Sequence, residues 1–199
     1  MEIKLKIKEN LNSAEAEALI ELGKTIEKGI GFEKDPGAAL SIYIEAAKAG
    51  EVKAYGCMGR VYLDYGDEKK GILYMKKGAG LGDTDAMAGL GFYYLEKQDM
   101  QNAALCFKPS AEAENPDGMY GFGRVYELCG EYGDALEWFK QAHENGQPDA
   151  TDAVGRVYEE MGSPDLALFW YRQTGNEEAE ARISGSIEDI EVEIEYAED

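Results

Sequence analysis

Four residues, Gly123-Arg124-Val125-Tyr126, recur in the same order as Gly59-Arg60-Val61-Tyr62 and Gly155-Arg156-Val157-Tyr158, and a variant, Gly91-Phe92-Tyr93-Tyr94, fills the gap. The glycines at 59, 91, 123 and 155 stand 32 residues apart. A fixed period between about 20 and 50 residues is the mark of a solenoid, in which each unit buries its apolar face against its neighbours. The feature settles architecture before it says anything of function.

From about Ala16 to about Arg182 the apolar spacing is helical, in five units whose first helices are expected to begin near Ala18, Ala54, Ala86, Gly118 and Ala150. In the second helices a small residue at Ala39, Gly71, Ala103, Ala135 and Ala167 is followed four positions later by Tyr43, Met75, Phe107, Phe139 and Tyr171, an i, i+4 apolar stripe. Each unit therefore reads as a helical hairpin. Between its helices sits a capping residue in register, Asp35, Asp67, Asp99, Glu131 (the weak case) or Ser163. Pro36 and Pro164 fit the first helical turn, and Gly50, Gly82 and Gly146 suit left-handed C-caps. Pro109, inside the third unit's second helix, is expected to kink or shorten it. The motif glycines lie mid-helix, where each costs roughly 1 kcal/mol against alanine. A cost repeated at Gly23, Gly59, Gly91, Gly123 and Gly155 points to close approach of the paired helix, with Tyr62, Tyr94, Tyr126 and Tyr158 packing between units.

The two ends differ from this pattern. Residues 1–8 alternate Ile3, Leu5 and Ile7 with Lys4, Lys6 and Lys8, the period of a half-buried strand, and Asn12 or Ser13 can cap the helix that follows. Ile190, Val192, Ile194 and Tyr196 alternate with Glu191, Glu193 and Glu195, so the two ends can pair as strands of opposite charge, within one chain or between two chains as a swapped homodimer. The expected division is a strand-like lead-in over 1–15, a five-unit solenoid over 16–182 and an acidic strand-like segment over 183–199.

Charge narrows the partners. Forty acidic residues against 20 basic ones give a formal net charge of -20, which repels nucleic acid backbones and anionic lipid alike. No signal-like apolar core opens the chain, and no run of about 18 apolar residues occurs within it. Cys57, Cys106 and Cys129 lack metal or redox spacing; they read as small helix fillers in a reduced, cytoplasmic compartment. His143 is the single histidine and takes a position where other units carry Ala47, Ala79, Ala111 and Gly175, which suits packing better than ligation. No nucleophile–base arrangement or phosphate loop is found, and no catalysis, metal or cofactor is expected.

The pattern of small residues, a glycine three positions before an aromatic, and an alanine–aromatic second helix resembles the Sel1-like repeats, relatives of the tetratricopeptide family. Gly29-Ile30-Gly31-Phe32-Glu33-Lys34-Asp35, leading to Ala38, Ala39, Tyr43, Ala46, Ala47 and Gly50, is similar to the family's longer turn; the other units have lost a four-residue insertion there. The resemblance implies an all-α, right-handed solenoid of five helix-turn-helix repeats and an adaptor role. A secreted, cysteine-rich branch of the family is linked with penicillin binding; this chain lacks that branch's regular cysteine pair per unit.

The position after each motif glycine carries Lys24, Arg60, Phe92, Arg124 and Arg156. Stacked in a solenoid these form a column, and Leu63, Phe92, Leu95 and Tyr120 form its apolar middle with Arg60, Arg124 and Arg156 beside them. Aromatic and arginine side chains together are the composition of interface hot spots. The alternative is that Arg60 pairs with Asp64, Arg124 with Glu127 and Arg156 with Asp152 or Glu160 at helical spacing. The expected function is a non-catalytic module binding a partner protein or peptide on the first-helix face. An acidic inhibitor of a basic toxin or nuclease, resting on charge alone, is the second reading, and a hydrolase like the penicillin-binding branch the third.

Overall fold

The computed structural model describes residues 11–31 and 33–185. The strand pairing expected over 1–8 and 187–196 lies outside these residues. Among them the chain forms ten helices: α1 Ser13–Lys28, α2 Pro36–Lys48, α3 Lys53–Asp64, α4 Glu68–Gly80, α5 Thr84–Glu96, α6 Met100–Glu112, α7 Pro116–Leu128, α8 Tyr132–Glu144, α9 Ala150–Glu160 and α10 Pro164–Thr174. Residues 177–185 are helical as well. The architecture is thus the all-helical repeat of hairpins that the 32-residue period implies.

Local chemistry sets the helix ends. Asn12 opens α1 with a reciprocal capping box: its side chain accepts from Glu15 N–H at 2.9 Å, and Glu15 accepts from Asn12 N–H at 2.9 Å. Asp35, Asp67 and Asp99 accept from the amides of Ala38, Lys70 and Asn102 at 2.9, 3.2 and 3.1 Å. Glu131 and Ser163 make no such bond. At Ser163 the proline that follows presets the first turn, so the cap is backbone geometry alone. Hairpin turns close on left-handed residues in register: Gly66, Gly130 and Gly162 after the first helices, Gly50, Gly82 and Gly146 after the second. In the third unit these places are held by Gln98 (φ 59°) and Glu114 (φ 58°), which lack glycine's freedom there.

Pro109 does not shorten its helix, since α6 spans 13 residues, as do α4 and α8. The carbonyl it deprives of a donor belongs to Leu105, an exposed residue, where water can substitute. The chain divides into two compact units inside α6, residues 1–109 and 110–199.

In the first unit, α1 packs on α2, α2 on α3, α3 on α4 and α4 on α5, around Ile20, Ile26, Ile42, Tyr43, Met58 and Val61. The second unit packs α7 on α8, α8 on α9 and α9 on α10, around Phe139, Val154 and Val157. Its final helical stretch seats Ala179 and Ile183 on Ala167 and Tyr171. His143 hydrogen-bonds Thr151 at 2.8 Å and meets Trp170 edge-on at 5.5 Å, joining α8 to the next hairpin. Of the motif tyrosines, Tyr158 bridges repeats through Lys140 Nζ at 2.9 Å, whereas Tyr62 stacks on Tyr74 of its own hairpin at 5.4 Å.

The motif glycines have one cause. A Cβ on Gly23, Gly59, Gly91, Gly123 or Gly155 would strike Tyr43, Met75, Phe107, Phe139 or Tyr171 respectively, at 2.5 Å for Gly91 and 2.8 Å for Gly123 and Gly155. Each stripe residue of the second helix seats in the notch left by the glycine of the first.

Candidate binding faces on the first helices

In the first unit, Arg60, Leu63, Phe92 and Leu95 are all half-buried. Arg60 is not paired with Asp64. It grips Glu27 of the preceding repeat with two nitrogens, Nη1 to Oε1 at 2.9 Å and Nη2 to Oε2 at 3.2 Å. Glu27 is 7% exposed and also accepts the Tyr43 hydroxyl at 2.7 Å. Burial is the largest single influence and opposes the charge on Arg60, but Glu27, with Cys57 and Tyr43 acting in the same direction, raises the arginine above its usual value. Burial raises the Tyr43 hydroxyl, with the bond to Glu27 acting in the same direction. Phe92 sits edge-on to Phe107 at 4.9 Å, and Leu63 leans over α4, its Cδ2 2.6 Å from where a Gly71 Cβ would stand.

In the second unit, Tyr120 packs on Phe139 at 5.5 Å between ring centroids. Arg124 pairs with Glu127 of its own helix at 2.9 Å, as the helical spacing suggests. Arg156 does not take Asp152 or Glu160. It donates from Nε and Nη2 to the two oxygens of Glu127 at 2.6 and 3.1 Å. Burial opposes the Arg156 charge, but the bonds to Glu127 and to Tyr120 prevail and raise its pKa. Lys24, the remaining member of the column, pairs with Glu21 at 2.9 Å.

The sites chosen across repeats have a physical reason. The Glu27 and Glu127 side chains are only 8% and 11% exposed, so an ion pair there is less screened than one to an exposed Asp64 or Glu160. In both of these pairs the residue after a motif glycine meets the residue four positions after the previous glycine. Glu159 follows the same theme, accepting from Tyr171 at 3.1 Å and from Arg182. By register, Phe92 and Leu63 occupy the two places that Arg60–Glu27 and Arg156–Glu127 fill with charge. That substitution is visible in the sequence once positions 27, 63, 95, 127 and 159 are aligned with their successors.

A second set of residues is not evident from spacing. Asp83, Asn115 and Gln147 stand 32 apart and are 5%, 9% and 8% exposed. Asn115 caps α7 through Gly118 N–H at 2.9 Å, and Gln147 accepts from Ala150 N–H at 3.1 Å. Asp83 caps α5 through Asp85 N–H at 3.1 Å, but its Oδ2 has no hydrogen-bond partner among the described residues. Burial pushes its carboxyl above the ordinary range. Gly56 and Gly78 leave room for it: a Cβ on Gly56 would lie 2.6 Å from Oδ2. Cys57 is buried and its thiol raised by burial, so it fills space; Cys129 is exposed and does not.

Among the described residues no group of three or more His, Cys, Asp or Glu side chains could hold a metal ion, and no helix is long and apolar enough to cross a membrane. Among curated proteins none matches the chain. Solved structures resemble it in fold: a Sel1 repeat protein from Oxalobacter formigenes (20% identity, 83% of this chain and 72% of that one, TM-score 0.64). A protective antigen of uropathogenic Escherichia coli with an SLR fold follows (22%, 86% and 42%, 0.70), as does Pseudomonas aeruginosa PilF (15%, 92% and 90%, 0.70). The family described as Sel1 repeat matches residues 16–51, 57–83, 84–115, 118–147 and 158–176. Those five segments take up most of the chain and carry the notch glycines Gly23, Gly59, Gly91 and Gly123, so the chain belongs to the Sel1 repeat family.

Proposed function

We propose that this chain is a non-catalytic scaffold of the cytoplasm that binds a segment of a partner protein on its first-helix faces. In the first unit Arg60, Leu63, Phe92 and Leu95 take part, and in the second Tyr120, Arg124 and Arg156. The observation that carries the reading is Phe92. It stands where three other repeats have arginine, its ring is held by Phe107, and it is only half-buried. A fixed aromatic ring loses little conformational freedom on binding, the property of a hot-spot anchor. Arg60 and Arg156, 43% and 40% exposed, are oriented by Glu27 and Glu127 and keep donors for a carboxylate, since a guanidinium carries five.

The test uses the molecule's own register. Leu63→Glu with Phe92→Arg installs the charge pair found at the equivalent places, so the solenoid is expected to fold and melt near the wild type. Affinity capture from the native host, compared by mass spectrometry, is expected to lose the partner with this variant. Retention of the same partner at wild-type yield by a folded variant overturns the proposed face.

A further inference from the structure

The two most exposed large apolar side chains among the described residues are Leu73 and Leu105, at 64% and 67%. They stand 32 residues apart, at the same place on α4 and α6, so they project from the outer side of successive second helices, away from the glycine notches. On a helix the surface neighbours of a residue are those three and four positions away. For Leu73 these are Lys69, Lys70, Lys76 and Lys77; for Leu105 they are Gln101, Asn102, Lys108 and Pro109. The eight include five lysines and no acid, on a chain with twice as many acidic as basic residues. Lys70 is partly engaged by Asp67 at 2.9 Å, and Lys77 lies over the Tyr55 ring at 4.2 Å. Lys69 and Lys76 are exposed and in no ion pair with a described residue. Lys76 also acts across to the next second helix: burial raises the Cys106 thiol, and the Lys76 charge opposes it.

Packing explains neither feature. The leucines contribute little to the core at these exposures, and at the same place other repeats carry Ser41 and Glu137, which shows that the hairpin does not require an apolar residue. In the last repeat Phe169 holds the place, but its neighbours Asp165, Leu166, Arg172 and Gln173 include no lysine. We infer that the outer face of α4 and α6, with Leu73 and Leu105 ringed by Lys69, Lys70, Lys76, Lys77 and Lys108, is a second docking surface, and that its occupant is an acidic segment of a partner protein carrying at least two apolar side chains. Charge selects that occupant. Lysine is a point charge on a flexible stem, suited to carboxylates without bidentate geometry, while each leucine covered removes apolar surface from water. Acidic groups farther from the face than the Debye length, about 8 Å at physiological salt, are largely screened and do not cancel this local attraction. This surface lies on the second helices and does not depend on the first-helix reading.

The test is fluorescence anisotropy with the full chain near physiological salt, using a short labelled peptide with two leucines set among glutamates and a counterpart with glutamine for every glutamate. The glutamate peptide is expected to bind about tenfold tighter than the glutamine one, a difference of one decade in Kd. Lys69→Glu with Lys76→Glu is expected to abolish that preference. Leu73→Ser with Leu105→Ser, both at exposed positions, is expected to weaken the glutamate peptide about tenfold while leaving the melting temperature unchanged. Leu63→Glu with Phe92→Arg is expected to leave this binding unaltered. Equal affinity for the two peptides, no measurable binding of either, binding indifferent to the lysine and leucine variants, or binding lost only with the first-helix variant overturns the inference. The last outcome moves the peptide to the first-helix face; the others leave that reading untouched.

Discussion

Replacing Gly91 by alanine tests the notch that positions every hairpin. An alanine Cβ there would lie 2.5, 2.6 and 2.7 Å from Cε1, Cδ1 and Cζ of Phe107. Carbon contacts are comfortable at about 3.5–4.0 Å, so the overlap is about 1 Å along one edge of the ring. Phe107 is 0% exposed and meets Phe92 edge-on, which leaves it no free direction. Overpacking of this kind costs about 1–3 kcal/mol, and alanine's better helix propensity returns about 1 kcal/mol. The expected net loss is between about 0 and 2 kcal/mol by urea denaturation. Gly133, in α8, has no atom of a neighbouring residue within 4 Å of where a Cβ would stand, and Gly133→Ala is expected to gain a few tenths to about 1 kcal/mol. The same chemical change thus has opposite signs at two helical sites. Phe107→Leu in the Gly91→Ala background is expected to recover part of the loss, with a coupling energy of about 1 kcal/mol. If Gly91→Ala stabilises as Gly133→Ala does, or shows no coupling to Phe107, the notch is not what the glycine is for.

Gln98→Gly and Glu114→Gly restore the residue that other repeats use at these left-handed turns; each is expected to raise stability by about 1 kcal/mol in thermal or urea unfolding. Asp83→Asn makes position 83 like Asn115. Because the folded-state pKa of Asp83 is raised, the native state holds its proton more tightly than the unfolded chain. Its contribution is therefore intact below the unfolded pKa of about 3.9 and is lost as pH rises through the folded value. The variant is expected to match the wild type in acid and to exceed it at neutral pH by about 1–3 kcal/mol, the cost of a buried unsatisfied polar group, in unfolding measured across that range. Glu127→Gln leaves Arg124 and Arg156 side by side without a carboxylate; a loss of about 1–3 kcal/mol is expected in urea denaturation, larger at low salt than at high salt.

The hairpins are legible in the sequence because the glycine and the stripe residue that fills its notch are both compositional signals, repeated in register. Asp35, Asp67 and Asp99 are readable as caps for the same reason: a cap is a local interaction over three residues. The arginine partners are readable only where the interaction is local, at Arg124 and Glu127. Arg60 and Arg156 reach back 33 and 29 residues, and helical spacing cannot weigh a buried carboxylate in the neighbouring repeat against an exposed one nearby. Asp83 follows the left-handed Gly82, and its burial comes from the glycines on α3 and α4 that make room beside it. The outer lysine–leucine face is hidden in the sequence for a different reason. Leu73 and Leu105 fit the general run of helical apolar residues, and only their exposure sets them apart.

The most direct measurement of the binding account is hydrogen–deuterium exchange of the full chain with and without the protein captured from the host. Helices packed in a core protect their amides already, so the informative signal is added protection on partner addition. In the first unit it is expected on 53–64 and 84–96, the first helices that carry Arg60, Leu63, Phe92 and Leu95. Added protection confined to other segments, with 53–64 and 84–96 unchanged, contradicts the binding account.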